Sequence, residues 1–262
     1  RRASMTLTRE LKRRGVNVIA RTAVDRVDTG ANLGATVHYR QGDSDEDRTA
    51  YGEVVLAAIG RVPNTDADWF RSSGLKLDER GYVTVDGYGR TNLDGVWALG
   101  DITPGHALAH RAFEQGITIA EKIAGADPKP VLDDTVPQVV FSFPEAASVG
   151  LTLDQAKARE DVVEPKETAY PMLSNARMLM SGEGGSMTVV SGAFANNPDM
   201  QVVLGVHIVS PIASDLIAEA EQLVGNRVPL ADAARLIHPH PTFSETLGEA
   251  LLKADGRPLH TR

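Results

Sequence analysis

The sequence predicts an α/β remnant followed by an α+β domain built on an antiparallel sheet. Three observations carry this expectation. The chain opens on one helical pattern and runs directly into several strand patterns, the order found at the tail of an α/β unit rather than at its start. Residues 124–137 then break the pattern with Gly125, Pro128, Pro130, Asp133 and Asp134. Beyond that break strands come first and helices last, as in an α+β domain with its helices on one sheet face. A length of 262 residues exceeds what one compact core usually holds, so at least two folding units are expected. The divisions predicted are 1–62, 63–128 and 129–262.

Residues 4–14 predict an amphipathic helix, with Leu7 and Leu11 on one face and Gly15 at the stop position. Strands are expected at 16–20, 23–27, 36–40 and 54–59, with the acidic loop 43–48 between the last two. The run Val54-Val55-Leu56-Ala57-Ala58-Ile59 suits a covered parallel strand. Further strands are expected at 82–85 and 96–99, and a long helix at 107–123 with Leu108, Ala112, Ile119 and Ile123 in its apolar set. In the last segment, strands are predicted at 138–142, 162–170, 186–194 and 202–209. Asn196-Asn197-Pro198-Asp199 reads as the hairpin turn between the final two. Helices follow at 211–224, 229–236 and 243–253, with Gly225 ending the first and Pro229 suited to the start of the second.

Composition excludes several classes of function. Lys and Arg number 27 against 35 Asp and Glu, a net charge of −8, and no basic stripe is present, so a nucleic-acid partner is not expected. No apolar run is long enough to cross a membrane as a helix, so no membrane partner is expected. The chain has no cysteine. It therefore holds no disulfide framework, no thiolate metal site and no thiol nucleophile of its own. No metal-ligand spacing is present, and no metal is expected. The opening residues do not resemble a signal peptide, and the absence of an initiator Met predicts that the chain begins inside a longer protein.

Four motifs carry candidate chemistry. The first is Thr91-Asn92-Leu93-Asp94-Gly95-Val96-Trp97-Ala98-Leu99-Gly100-Asp101, where a strand ends in Gly100, which permits close backbone approach. Asp101 then offers a carboxylate to sugar-like hydroxyls, although a Gly-Asp pair is also an ordinary helix-capping turn. The second is Ala107-Leu108-Ala109-His110 at the expected start of the long helix, where free N–H groups and the helix dipole favour an acceptor. His110 itself reads as structural. The third is His238-Pro239-His240-Pro241-Thr242-Phe243-Ser244-Glu245. Thr242 and Glu245 have capping-box spacing. The same geometry turns Glu245 towards the His240 ring, where it would fix the tautomer and leave the other nitrogen as a base. His238 has no evident partner and reads as structural. The fourth is Ala58-Ile59-Gly60-Arg61-Val62-Pro63-Asn64, where Gly60 is either a nucleotide contact or a plain strand exit.

Taken together, these residues resemble the pyridine nucleotide-disulfide oxidoreductases, and among them the dihydrolipoamide dehydrogenases. Leu108-Ala109-His110-Arg111-Ala112, Glu114-Gln115-Gly116 and the His238–Glu245 motif carry the resemblance, which runs along the whole chain in order. It implies that 1–62 is the end of an NAD-binding domain, 63–128 a segment returning to an FAD-binding domain, and 129–262 an interface (dimerisation) domain. It implies oxidation of dihydrolipoyl groups by NAD⁺ through FAD and an enzyme disulfide that this chain lacks, and a cytoplasmic location. Implied partners are a second copy, the missing N-terminal FAD/NAD half, and the dihydrolipoyl-bearing protein of a 2-oxoacid dehydrogenase complex. By the same resemblance His240 and Glu245 are catalytic. Gly100, Asp101, Ala107, Leu108, Ala109 and His110 contact the flavin, and Gly60 contacts NAD. The competing expectations are a non-catalytic dimerisation or assembly fragment and a related flavin disulfide or quinone reductase.

Overall fold

A computed structural model describes residues 2–30 and 34–260. Its contacts divide the chain into two compact units, one of Leu11–Val62 and one joining the residues up to Glu10 to the chain from Pro63 onward.

The chain begins with helix α1 (Arg2–Arg13). The smaller unit is a meander of three antiparallel strands, β1 (Thr22–Thr29), β2 (Ala35–Gln41) and β3 (Arg48–Gly52), in that order. Arg40 braces the first pair with two hydrogen bonds to Asp25, at 2.9 and 2.6 Å. The strands expected at 16–20 and 54–59 do not form. Val54, Leu56 and Ile59 are instead 85%, 87% and 95% exposed. A parallel strand takes its hydrogen bonds from neighbours on its flanks. Nothing among the described residues of this unit supplies them, so the apolar run forms no strand and stays exposed.

In the larger unit, α2 (Asp68–Ser72) anchors a small core of Phe70, Val83 and Ala98. The strands expected at 82–85 and 96–99 are reduced to single bridges, Leu77 to Val83 and Arg90 to Trp97. A 3-10 turn at Gly100–Ile102 leads to α3 (Ala109–Ile123), which starts two residues later than its apolar pattern predicts.

The remainder is one antiparallel five-stranded sheet with helices on its face. Its strands are β4 (Gln138–Val140), β5 (Glu145–Gly150), β6 (Val162–Pro171), β7 (Ser186–Phe194) and β8 (Asn197–Ser210), in spatial order β4-β5-β8-β7-β6. The β7–β8 turn is tighter than expected: Phe194 pairs with Asn197, so the turn is Ala195-Asn196 and the expected turn residues Asn197-Pro198-Asp199 already lie in β8. Two short helices not expected from sequence, α4 (Leu153–Ala158) and α5 (Ala176–Ser181), fill connections. Helices α6 (Ala213–Gly225), α7 (Leu230–Ala233) and α8 (Glu245–Ala254) close the fold. The main core lies between sheet and helices. Val149, Met187, Val189, Val206 and Ile208 meet Leu216, Ala220, Leu223, Leu247 and Leu251 there. α8 lies against β6 and β7, which makes its first residue a fixed point at one edge of this core.

Candidate functional site

Residues 238–245 form a turn braced from several sides before α8 begins. His240–Pro241 is a cis peptide. The Thr242 hydroxyl donates to the Pro239 carbonyl at 2.6 Å and shares a 2.8 Å bond with the Ser244 hydroxyl. The buried Asn175 at the start of α5 donates its side-chain amide to the Thr242 carbonyl at 3.0 Å. Arg177 lies over the Phe243 ring, 5.9 Å from its centroid.

This brace presents Glu245. Its Oε2 accepts the Thr242 N–H at 2.8 Å, and its Oε1 meets His240 Nδ1 at 2.9 Å. Only half of the predicted capping box forms. Glu245 is the first helical residue rather than the third, and the Thr242 hydroxyl is engaged elsewhere. Burial pushes the Glu245 carboxyl up, but the Thr242 N–H and His240 outweigh it and hold the group below the usual carboxylate range. An ionised carboxylate can only accept, so Nδ1 of His240 is the donor. In the neutral ring the lone pair therefore falls on Nε2. The His240 side chain is 71% exposed and that of Glu245 only 21%, so the base nitrogen is on the accessible side and its orienting carboxylate is not.

Three further partnerships surround the pair. His238 is not partnerless: its Nε2 meets Glu219 Oε1 of α6 at 2.8 Å. Glu249, buried one turn beyond Glu245, accepts His260 Nδ1 at 2.8 Å. Tyr170 of β6 is buried, with its hydroxyl 3.1 Å from the Ser174 hydroxyl. Burial raises the Tyr170 phenol, and Glu249 and Glu245 add to that.

A second constellation gathers around Gly100. Gly100 has φ 72°, a left-handed conformation that favours glycine, and an added Cβ would sit 3.3 Å from the Ala112 methyl. Its N–H donates to Gln115 Oε1 at 2.9 Å, tying the turn to α3. Asp101 is exposed and makes no hydrogen bond or ion pair among the described residues, so both carboxylate oxygens remain open as acceptors. Ala107 and Leu108 precede α3 rather than opening it. Leu108 is its N-cap and gives no side-chain cap, which leaves the first-turn N–H groups of Ala109 and His110 available. The His110 side chain is engaged elsewhere, donating Nε2–H to the Pro137 carbonyl at 2.6 Å. Arg111, which the sequence gives only as part of the motif that carries the resemblance and with no role of its own, is buried. It donates Nε to Asp133 at 2.7 Å and Nη2 to the Pro104 carbonyl at 2.6 Å, riveting the loop to the helix.

Gly60 lies in the smaller unit with φ 137° and open space where a Cβ would be. No hydrogen bond or ion pair among the described residues links the His240–Glu245 pair to the Gly100–His110 stretch.

Residues 1–116 match the family model of the pyridine nucleotide-disulphide oxidoreductases, and residues 136–251 match the dimerisation domain of the same family. A dihydrolipoyl dehydrogenase of Cupriavidus necator is 38% identical over 96% of this chain and 51% of its own length. One of Geobacillus stearothermophilus is 37% identical over 97% of this chain and 52% of its own length. The crystal structure of LpdA from Mycobacterium tuberculosis superposes with a TM-score of 0.82 at 30% identity, covering 96% of this chain and 52% of that one. The flavoprotein disulfide reductase RclA from Escherichia coli, at 22% identity and a TM-score of 0.80, shares the fold. The chain thus spans about half the length of the curated relatives it matches. Two models of the one family, which together match most of the chain, and a fold shared with LpdA along nearly the whole chain, establish that this chain belongs to the pyridine nucleotide-disulphide oxidoreductase family.

Proposed function

We propose that this chain supplies the thiol base and part of the flavin site of an oxidoreductase that oxidises dihydrolipoyl groups with NAD⁺. The observation that carries the reading is the His240–Glu245 pair, with Nδ1 committed to a carboxylate and Nε2 exposed. A free cysteine thiol has a pKa near ~8.5, and a dithiol is likewise a poor reductant at neutral pH until one thiol is deprotonated. Nε2 of His240 takes that proton, and Glu245 stabilises the imidazolium that results. Such general-base help is worth ~10²–10⁴ in rate. The net change is loss of two electrons and two protons from the dithiol: NAD⁺ takes both electrons and one proton as a hydride, and the other proton is released to solvent. The disulfide relay lies outside this chain, which has no cysteine.

FAD, when bound, supplies the two-electron relay between dithiol and nicotinamide. The open Asp101 carboxylate suits a ribitol hydroxyl, Gly100 allows close approach, and the uncapped start of α3 suits a flavin acceptor atom. Ala107, Leu108, Ala109 and His110 contribute backbone to that site, and Gly60 offers bare backbone to NAD. Dimerisation through the last domain is supported by the exposed apolar side chains Val140, Phe141, Leu236 and Ile237. The macromolecular partner is a dihydrolipoyl-bearing protein of a 2-oxoacid dehydrogenase complex. The test is the complete polypeptide that carries this sequence. It is expected to co-purify with FAD and to reduce NAD⁺ with dihydrolipoamide. A flavin-loaded dimer that reduces quinones but leaves dihydrolipoamide untouched would overturn the dithiol assignment, and a flavin-free dimer would leave only an assembly role.

A further inference from the structure

We propose that His238 is a positioning residue: clamped between Glu219 of α6 and a notch at Gly248 of α8, it fixes the backbone from which His240 projects. The inference rests on the reading of His240 as the thiol base and deepens it. His240 is mostly exposed, and Glu245 is the one side chain it bonds among the described residues. An exposed ring with one tether is held only as well as its backbone is held. Downstream, Asn175 and Glu245 secure Thr242. Upstream, the task falls to His238. Its side chain is 9% exposed, and its Nε2 meets Glu219 at 2.8 Å. Pro239 and Pro241 flank His240 with restricted φ, so anchoring His238 leaves few backbone torsions free before the catalytic ring.

Gly248 supplies the second jaw. A Cβ built there would fall 2.5 Å from His238 Nδ1 and 2.9 Å from Cε1, so the ring packs directly on the α8 backbone. Glycine inside a helix is less favourable than alanine. The notch explains why it is used at this position. The bond to Glu219 outweighs burial and raises the His238 ring above its ordinary value, which strengthens the clamp with charge. The clamp thereby joins α6 and α8, across the intervening α7, through a side chain two residues from His240.

The experiment reads the His240 ring directly in the 262-residue chain, labelled with ¹⁵N-histidine and observed by NMR with the ring neutral. The wild-type ring is expected in the Nδ1–H tautomer, because Glu245 accepts from that nitrogen. Gly248→Ala displaces the His238 ring, and Glu219→Gln removes its charged partner. In both, the His240 spectrum is expected to fall towards the tautomer mixture of a free imidazole. His238→Gln, which keeps a donor for Glu219, is expected to retain more of the Nδ1–H signature than His238→Leu. If His240 keeps its wild-type signature in folded Glu219→Gln and Gly248→Ala, whatever happens to their melting temperatures, the clamp is overturned. Should Gly248→Ala fail to fold, Glu219→Gln decides. A changed tautomer with unchanged dihydrolipoamide turnover in the complete protein would leave the clamp standing and remove His240 from the chemistry.

Discussion

Replacing Glu245 by Gln separates the carboxylate's charge from its shape. Glu245 accepts the Thr242 N–H at 2.8 Å and His240 Nδ1 at 2.9 Å. The Thr242 N–H can only donate, so the amide oxygen of Gln stays with it and the amide NH₂ turns towards the imidazole. Nδ1 must then accept, and the neutral ring carries its proton on Nε2, the nitrogen that should be free. Two charge-assisted hydrogen bonds become two neutral ones, each about 1 kcal/mol weaker, and partial exposure trims this to a loss of about 1–2 kcal/mol at neutral pH. The carboxyl is held below its ordinary value in the fold. Its contribution is therefore fully present above the unfolded value of about 4.3 and is lost as pH falls through the folded value. Urea unfolding followed by tryptophan fluorescence suits the assay, because Trp69 and Trp97 both lie in the larger unit. The wild-type midpoint should exceed that of the variant at pH ~7, and the gap should narrow towards pH ~3. Equal midpoints at neutral pH, or a gap that persists in acid, would refute the reasoning.

Other perturbations test the remaining parts. Ile237 is 96% exposed, so Ile237→Asp should change folding stability by less than ~0.5 kcal/mol yet shift sedimentation from dimer towards monomer. Leu247 is buried against the sheet, and Leu247→Ala should cost about 2–5 kcal/mol in thermal or denaturant unfolding. In the complete protein, Asp101→Leu should lose flavin on gel filtration, with affinity lowered about tenfold or more for one lost carboxylate–hydroxyl bond.

Much of the interface domain is legible in the residues because its elements are periodic. β7 spans 186–194 as its apolar run predicts, and the stripe Ile212, Leu216, Ala220 and Leu223 lies over the sheet as expected. β5 was missed because Glu145–Gly150 holds alanines and a serine where β-branched residues usually mark a strand. Its pairing with β4 and β8 makes it one. The opposite error befell 54–59, where apolar composition signals a wish for burial but cannot supply neighbours. Local spacing misled at Thr242–Glu245, where half a box forms, while a full capping box at Thr152–Gln155 passed unnoticed. His240 and Glu245 were visible together because they are five residues apart across a helix start. Glu219 and His238 are nineteen apart, and Arg111 and Asp133 twenty-two, on elements whose packing no local pattern reports.

The central claim is that His240, oriented by Glu245, removes the substrate thiol proton. Stopped-flow reduction of the bound flavin in the complete protein tests it most directly, comparing wild type with His240→Gln. Reduction by dihydrolipoamide should slow by ~10²–10⁴ while reduction by NADH, which needs no thiol base, stays near the wild-type rate. Equal slowing with both reductants, or dihydrolipoamide reduction at the wild-type rate, would contradict the account.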